Sequence, residues 1–520
     1  MLAKIFSAGL SGIDGYAVTI EADGSGGLPR SVIVGNVSPS VREAMERCQV
    51  GLKNSGICLP PRRLTINIAP ADRRKDGTCF DLAITVGLLK AVFPEYTADI
   101  SGYGFLGEVG LDGSIHPVNG MLSMAAALKE AGVKGVVVPE ANAAEAKVIE
   151  ELDVIGINDL KTLSVLLEHQ DKFESYPRAE ISEAAKTECS EVDFSEVRGQ
   201  AVCVRAALIA AAGNHNLMLS GIAGTGKSMI ARRIPTIMPP LTREEDISIT
   251  RIYSASGLLP AGRGLLGTRP FRSPHHSITV PALIGGQRDG MTAGEISLAS
   301  KGVLFMDELP LFSRMAIEAL REPLEEKMIT INRLGISCTY PADGLLVAAL
   351  NPCPCGYYPD RTKCRCTPAQ IRAYQRGISR PILERIDLLA EAVPVDFSLL
   401  QEQNEKPQSA ADGRILSSQE LREQVIRARA IQRDRFRGQK IRYNSEIGAK
   451  EIPVYCRLGK TEAEFMEKVY RLKNMSIRTY HKALKVARTI ADLEGEKEIA
   501  VRHLSEAVSF RGLEGEMFGG

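Results

Sequence analysis

The chain has 520 residues, 44% of them hydrophobic, and sets 64 Lys and Arg against 63 Asp and Glu for a formal net charge of +1. This is the composition of a soluble globular protein of about two to four domains, and its balanced charge excludes any polyanion-binding argument drawn from net charge alone. No stretch approaches the roughly 20 apolar residues that a spanning helix needs, and the first residues lack a secretory pattern, so no membrane partner and a cytoplasmic location are expected.

Residues 1–170 mix strand-like runs at 16–21 and 31–34 with helix-like runs at 41–52 and 121–131, which predicts a compact α/β domain. From 171 to 195 the sequence turns charged and poor in apolar residues, as a linker does when it cannot bury a core. Residues 196–400 alternate strand-like runs (217–219, 303–306, 345–350) with helical ones in the order of a parallel α/β sheet. A second polar stretch, 401–414, precedes helical spacing from 415 to 512, which reads as a helical bundle.

The sharpest motif begins where the apolar run 217–219 ends. Gly221, Ile222, Ala223, Gly224, Thr225, Gly226, Lys227 and Ser228 spell GIAGTGKS directly before a helical run, the strand-loop-helix setting of a phosphate-binding loop. Its glycines let backbone N–H groups turn inward at the positive end of the following helix. Lys227 is expected to reach the β- and γ-phosphates of ATP, and Ser228 to ligate Mg²⁺. In the following segment His275 and His276, in FRSPHH, lack a Cys or acid at ligand spacing and read as loop or channel contacts rather than metal ligands.

A phosphate cradle hydrolyses nothing without a metal-binding acid and a base. GVLFMDEL supplies both, since the apolar run 303–306 delivers Asp307 and Glu308 at the carboxyl end of a strand, where α/β sheets bind ligands. Asp307 is assigned to Mg²⁺ and Glu308 to polarising the attacking water. The run 345–350 ends in Asn351, a polar group placed to orient that water, with a simple turn before Pro352 as its alternative.

Cys353, Cys355, Cys364 and Cys366 follow as two C-x-C pairs around a Gly- and Pro-containing loop. They would supply a tetrahedral Zn²⁺ site, with free thiols in a reducing compartment as the other reading. Further on, the basic run 427–442 is either a DNA-facing surface or a solvated or subunit-contacting helix face.

Motifs in this order, together with FRSPHH, GEISLASKGVLFMDEL, NPCPCG and ARTIADLEG, resemble the AAA+ magnesium-chelatase-like proteins and specifically the bacterial ComM/YifB family, over nearly the whole chain. The resemblance implies an ATP-driven homo-hexameric motor on single-stranded or branched DNA, promoting branch migration during natural transformation. A chelatase-type or other protein-remodelling motor is the alternative. It further implies that Arg385 is an arginine finger reaching a neighbour's γ-phosphate, that Arg478 is the sensor arginine of the C-terminal lid, and that Arg333, at the turn of a channel hairpin, touches DNA; surface ion pairing for the first two and a solvent-exposed turn for Arg333 are the other readings. The first domain resembles the proteolytic domain of Lon, through FDLAITVGLL and GEVGLDGSIHPVNGMLSMAAALKEAG. Where that pattern has its serine and lysine stand Cys79 and Met124, so no protease activity is expected and the domain is read as a scaffold.

Overall fold

The computed structural model describes residues 2–180, 192–286, 292–333, 336–395 and 416–511. The first domain contains β1 (Leu2–Ser11), β2 (Asp14–Ser25), β3 (Arg30–Val34), β4 (Arg63–Ala69), β5 (Tyr103–Phe105), a separate hairpin of β6 (Glu108–Val109) and β7 (Ile115–His116), then β8 (Gly135–Pro139) and β9 (Asp153–Ile157). Its seven-stranded mixed sheet runs β3-β4-β2-β1-β5-β8-β9. Helix Asp81–Val92 buries every side chain except that of Lys90, which suits a helix apolar all round and packed against β1 and β2. The Lys90 stem stays in the core while its ammonium donates to the Tyr96 and Ala98 carbonyls at 2.7 and 2.6 Å.

The predicted linker is shorter than the sequence suggests. Residues Gln170–Ser175 form a helix whose Phe173 is buried in the first core, edge-on to Tyr103 with ring centroids 4.7 Å apart. Arg178 pairs with Asp153 at 2.8 Å. At the other end Phe194 already belongs to the core of the second domain. A few aromatic anchors suffice in a charged stretch, because the charges stay in water at no desolvation cost while each buried ring removes a large apolar area from water. Residues 181–191 and 401–414 lie outside the described residues.

The second domain holds β10 (Leu217–Gly221), β11 (Phe271–Arg272), a two-stranded pair of β12 (Gly285–Gly286) and β13 (Thr292–Ala293), β14 (Val303–Met306), a hairpin of β15 (Met328–Arg333) and β16 (Ile336–Pro341), β17 (Leu345–Leu350) and β18 (Leu388–Ala392). Five of these form a parallel sheet in the order β11-β14-β17-β10-β18. Its central strands are covered on both faces, as continuous apolar strands require. Leu217 and Leu219 face a core shared with helices Ala201–Gly213 and Lys227–Ile237, while Met218 faces a second core with Leu304, Met306 and Ala348.

The C-terminal helices include Ser418–Arg435, Lys460–Leu472, Ile477–Leu493 and Val501–Ser509. They dock on helix Ala201–Gly213, whose last carbonyls they satisfy: Arg429 donates to the Ala211 oxygen at 2.7 Å and Gln432 to the Ala212 oxygen at 3.1 Å. The basic run is therefore partly turned inward. Arg429 lies over the Tyr443 ring and Arg435 pairs with Asp492, leaving Arg427, Arg433 and Arg437 exposed. Among the described residues no helix is long and apolar enough to cross a membrane.

The first and second domains meet along helix Arg243–Ala255 and the β15-β16 hairpin. Arg251 donates to Asp14 at 2.9 Å and to the Ser123 hydroxyl at 3.1 Å. The Ser254 hydroxyl donates to the buried Glu145 carboxylate, which also accepts from the Leu122 N–H at 2.7 Å. In the β1-β2 turn Gly12 has φ +63° and faces Cys338 and Tyr340 of β16, with room for no side chain: a Cβ would lie 2.8 Å from the Cys338 sulfur.

Candidate functional site

The phosphate-loop residues sit at the carboxyl end of β10, an interior strand between β17 and β18. Gly224 and Gly226 both have φ +84°, the left-handed conformation that turns their N–H groups inward, and helix Lys227–Ile237 starts immediately after. At Gly221 the constraint is close approach, since a Cβ there would stand 2.4 Å from the Ala392 carbonyl of β18. Ile222 accepts from the Thr225 hydroxyl at 2.9 Å, closing the loop on itself.

The sheet order brings the other motifs to the same edge. β17 is hydrogen-bonded directly to β10, so Asn351 emerges beside the loop, and β14 lies one strand further, carrying Asp307 and Glu308. The Lys227 ammonium donates to the Gly221 and Ile222 carbonyls at 2.6 and 2.9 Å and to Asn351 Oδ1 at 3.1 Å. Burial holds its pKa below that of an ordinary lysine, opposed by the nearby charge of Asp307. The Ser228 hydroxyl donates to Asp307 Oδ2 at 2.8 Å. A hydroxyl and a carboxylate one hydrogen bond apart fit Mg²⁺, which takes few protein oxygens and keeps waters for the rest. Ser228 and Asp307 are the residues able to hold that ion.

Glu308 adopts φ +51°, a conformation that costs a residue other than glycine on the order of 1 kcal/mol, and its N–H donates to Asp307 Oδ1 at 3.0 Å.

Three further residues bear on the site through contacts that the sequence does not show. Gln200, at the head of the alanine-rich helix, donates to the Thr225 carbonyl at 3.2 Å and to the Val393 carbonyl at 2.6 Å. Gly356 accepts from the Ala223 N–H at 3.3 Å. Tyr374 is a third: burial pushes its phenol up to about 12, against the hydrogen bond from the Asn351 backbone. A polar residue before a helix and a tyrosine near a helix end have no spacing that would single them out, and Gly356 shows in sequence as the last residue of NPCPCG but not as a contact of the phosphate loop.

Arg385 and Arg478 are not at this edge. The Arg385 carbonyl accepts from Asn216, the residue before β10, at 3.1 Å, whereas the phosphate loop follows the strand's last residue. Five residues of strand separate the two by about 13–17 Å. Arg385 pairs with Glu325 at 2.5 Å, and its Nε is buried without a hydrogen-bond partner. Arg478 is 68% exposed and pairs with Glu384 at 3.2 Å, beside Arg385. Asp387 anchors the same region. Although burial opposes its charge, Lys482 at 2.7 Å and His215 hold its carboxyl below the usual range.

The remaining candidates are placed as follows. Arg333 ends β15 in register with Ile336, which puts it next to the hairpin turn, while its side chain and residues 334–335 lie outside the described set. The His275 and His276 rings lie 4.0 Å apart, and His275 meets the Ser277 hydroxyl at 2.8 Å, with no sulfur or acid joining them in a metal-binding group among the described residues. Cys353, Cys355, Cys364 and Cys366 converge. In the first domain, burial and then the charge of Asp81 push the Cys79 thiol up to about 12, and Met124 is fully buried. A thiol so placed is about 10⁻⁴ ionised at pH 8. Iodoacetamide at that pH is expected to alkylate exposed Cys58 and spare Cys79 in native protein, read by peptide mass spectrometry. Equal labelling of both would reinstate Cys79 as a nucleophile.

A five-stranded parallel sheet in this order, with a phosphate loop after the interior strand β10, an acid pair and a polar residue at the same edge and a helical domain behind, defines an AAA+ ATPase, a class that binds ATP with Mg²⁺. Family models agree along the chain: residues 193–398 match magnesium chelatase, subunit ChlI; residues 20–142 match subunit ChlI of Mg-chelatase; and residues 416–511 match the ChlI C-terminal region. Competence protein ComM of Haemophilus influenzae is 35% identical over 518 residues, covering 98% of each chain. Protein YifB of Salmonella typhimurium is 37% identical over 513 residues, 99% of this chain and 97% of that one. A more distant relative, maternal DNA replication licensing factor mcm6 of Xenopus tropicalis, is 23% identical over 301 residues, 57% of this chain and 32% of its own. The chain belongs to the ComM/YifB family of magnesium-chelatase-like AAA+ proteins.

Proposed function

We propose that the chain is a homo-hexameric motor that couples ATP hydrolysis to movement along single-stranded or branched DNA, driving branch migration when incoming DNA recombines. In this reading the N–H groups of Gly221 to Ser228 cradle the phosphates and Lys227 neutralises the β- and γ-phosphate oxygens. Ser228 and Asp307 hold Mg²⁺, which when bound draws charge off the transferring phosphoryl group. Glu308 accepts the proton of the attacking water, and Asn351 orients that water. Arg385 of a neighbouring subunit supplies further positive charge, and Arg478 is the sensor arginine of the lid.

The observation that carries the reading is the distance of Arg385 from its own phosphate loop. An arginine at the opposite end of β10 is out of reach of its own nucleotide, so a role for it in hydrolysis is a role at another subunit's site, and head-to-tail contacts of that kind form a ring when their rotation closes. For DNA the support is the competence protein to which the chain is similar along its length, and the replication licensing factor it matches in part. The hairpin ending near Arg333 is the element assigned to backbone contacts, which give affinity without sequence preference. A chelatase-type or other protein-remodelling motor is the competing reading, favoured by the description of the matching family models.

The test is ATP hydrolysis by purified protein with and without single-stranded and forked DNA at several salt concentrations. Stimulation that weakens as salt rises is expected, because phosphate contacts release counterions. Hydrolysis indifferent to DNA would move the assignment to protein remodelling.

A further inference from the structure

The segment from Asn351 to Thr367 contains turns but no helix or strand, and its own core is only Cys353, Cys364 and Ile371, flanked by Cys355, Tyr358 and Cys366. Three buried side chains do not offset the entropy of ordering some 17 residues, which by itself costs on the order of 1 kcal/mol per residue. Segments of this kind need a cross-link or a metal. The four sulfurs lie within 4.8 Å of one another, with Cys353 to Cys355 at 3.4 Å, Cys355 to Cys364 at 3.6 Å and Cys353 to Cys364 at 3.8 Å. A tetrahedral zinc with sulfur ligands at about 2.3 Å sets its sulfurs about 3.8 Å apart. The Tyr358 N–H points at the Cys353 sulfur at 3.4 Å, the outer hydrogen bond that stabilises a bound thiolate.

The cluster also touches the nucleotide site. Gly356 directly follows Cys355, and its N–H donates to the Cys353 carbonyl at 3.0 Å, so the turn between two of the sulfurs is closed. The other side of that turn is the Gly356 carbonyl on the Ala223 N–H of the phosphate loop. Gly356 has φ +83°, and a Cβ there would press on that of Ala223 at 3.2 Å.

We propose that Cys353, Cys355, Cys364 and Cys366 bind one Zn²⁺ as a tetrathiolate, and that this ion holds the Gly356 turn against the phosphate loop, so that nucleotide affinity depends on zinc. Binding is written as displacement of the thiol protons by the ion, without oxidation or reduction. The clamp rests on the reading of residues 221–228 as the ATP site; the metal site itself does not.

The experiment uses the full chain carrying Glu308→Gln, which keeps hydrolysis out of the readout. Metal content is measured by mass spectrometry, and binding of a fluorescent ATP analogue is measured before and after zinc is released with a mercurial and again after thiol and Zn²⁺ are restored. One zinc per chain, an affinity about tenfold weaker on release, and recovery with Zn²⁺ are expected. Cys364→Ser/Cys366→Ser should lose the ion and show the weaker affinity, with circular dichroism reporting whether it folds. Chains purified with iron, or with less than about a tenth of an equivalent of zinc, would overturn the metal site. Zinc present but affinity unchanged on release would overturn the clamp. Zinc-loaded protein that binds no nucleotide would overturn the clamp together with the ATP-site reading, leaving the zinc stoichiometry standing.

Discussion

Glu308→Gln is expected to lower ATP turnover by about 10²- to 10⁴-fold while nucleotide binding stays within about twofold, because the amide keeps the shape of the side chain but cannot accept the proton of the attacking water. On the proposed mechanism Glu308 serves the reaction and not the cradle, since the phosphate-loop contacts run through Lys227, Ser228 and Asn351. Steady-state hydrolysis alongside equilibrium titration of a fluorescent ATP analogue separates the two quantities. Turnover within tenfold of the parent would remove Glu308 from the mechanism. Asp307→Asn should behave differently, weakening Mg²⁺-dependent binding itself, since its carboxylate oxygen already stands one hydrogen bond from Ser228.

Arg385→Ala is expected to cost about 10³-fold or more in turnover, the usual worth of an arginine finger. Its sharper consequence appears on mixing. Equal amounts of Arg385→Ala and Lys227→Ala chains, each inactive alone, should regain activity when allowed to exchange subunits. A random ring pairs an intact loop with an intact arginine at about one quarter of its interfaces, so about one quarter of the parent rate is the ceiling for independent sites. Mixtures as inactive as either component would mean that Arg385 does not act across an interface. Arg478→Ala can be put through the same mixing, because its side chain stands with Arg385 through Glu384. Recovery there would assign the lid arginine to the neighbour's nucleotide as well.

Much of this site is legible in sequence because phosphate binding leaves local marks. Gly224 and Gly226 must be glycine for their left-handed backbone, and Lys227 and Ser228 must follow at once. Asp307 and Asn351 are legible for another reason: each ends a short, fully buried strand, and parallel strands deliver their carboxyl ends to one edge. What sequence does not show is contact between parts that share no motif. Gln200 reaches the phosphate loop through tertiary packing alone, and the carbonyl of Gly356 is a backbone atom that any residue would carry. The roles of Arg385 and Arg478 were inferred from resemblance; their position at the far end of β10 is a product of topology, which local spacing does not encode. The linker boundary misled because Phe173 and Phe194 are single aromatic anchors in charged surroundings, and composition averages them away.

The junction between the first domain and the ATPase has a consequence for how this chain can drift over generations. The Ser11 hydroxyl and the Cys338 sulfur meet at 3.8 Å although 327 positions apart, and Gly12 beside them has no space for a side chain. Ser254 likewise answers to Glu145, and Arg251 to Asp14. A larger residue on either side of this seam is expected to need a compensating change in the other domain, so exchanging one half alone with a relative's should lower stability unless the seam residues travel with it.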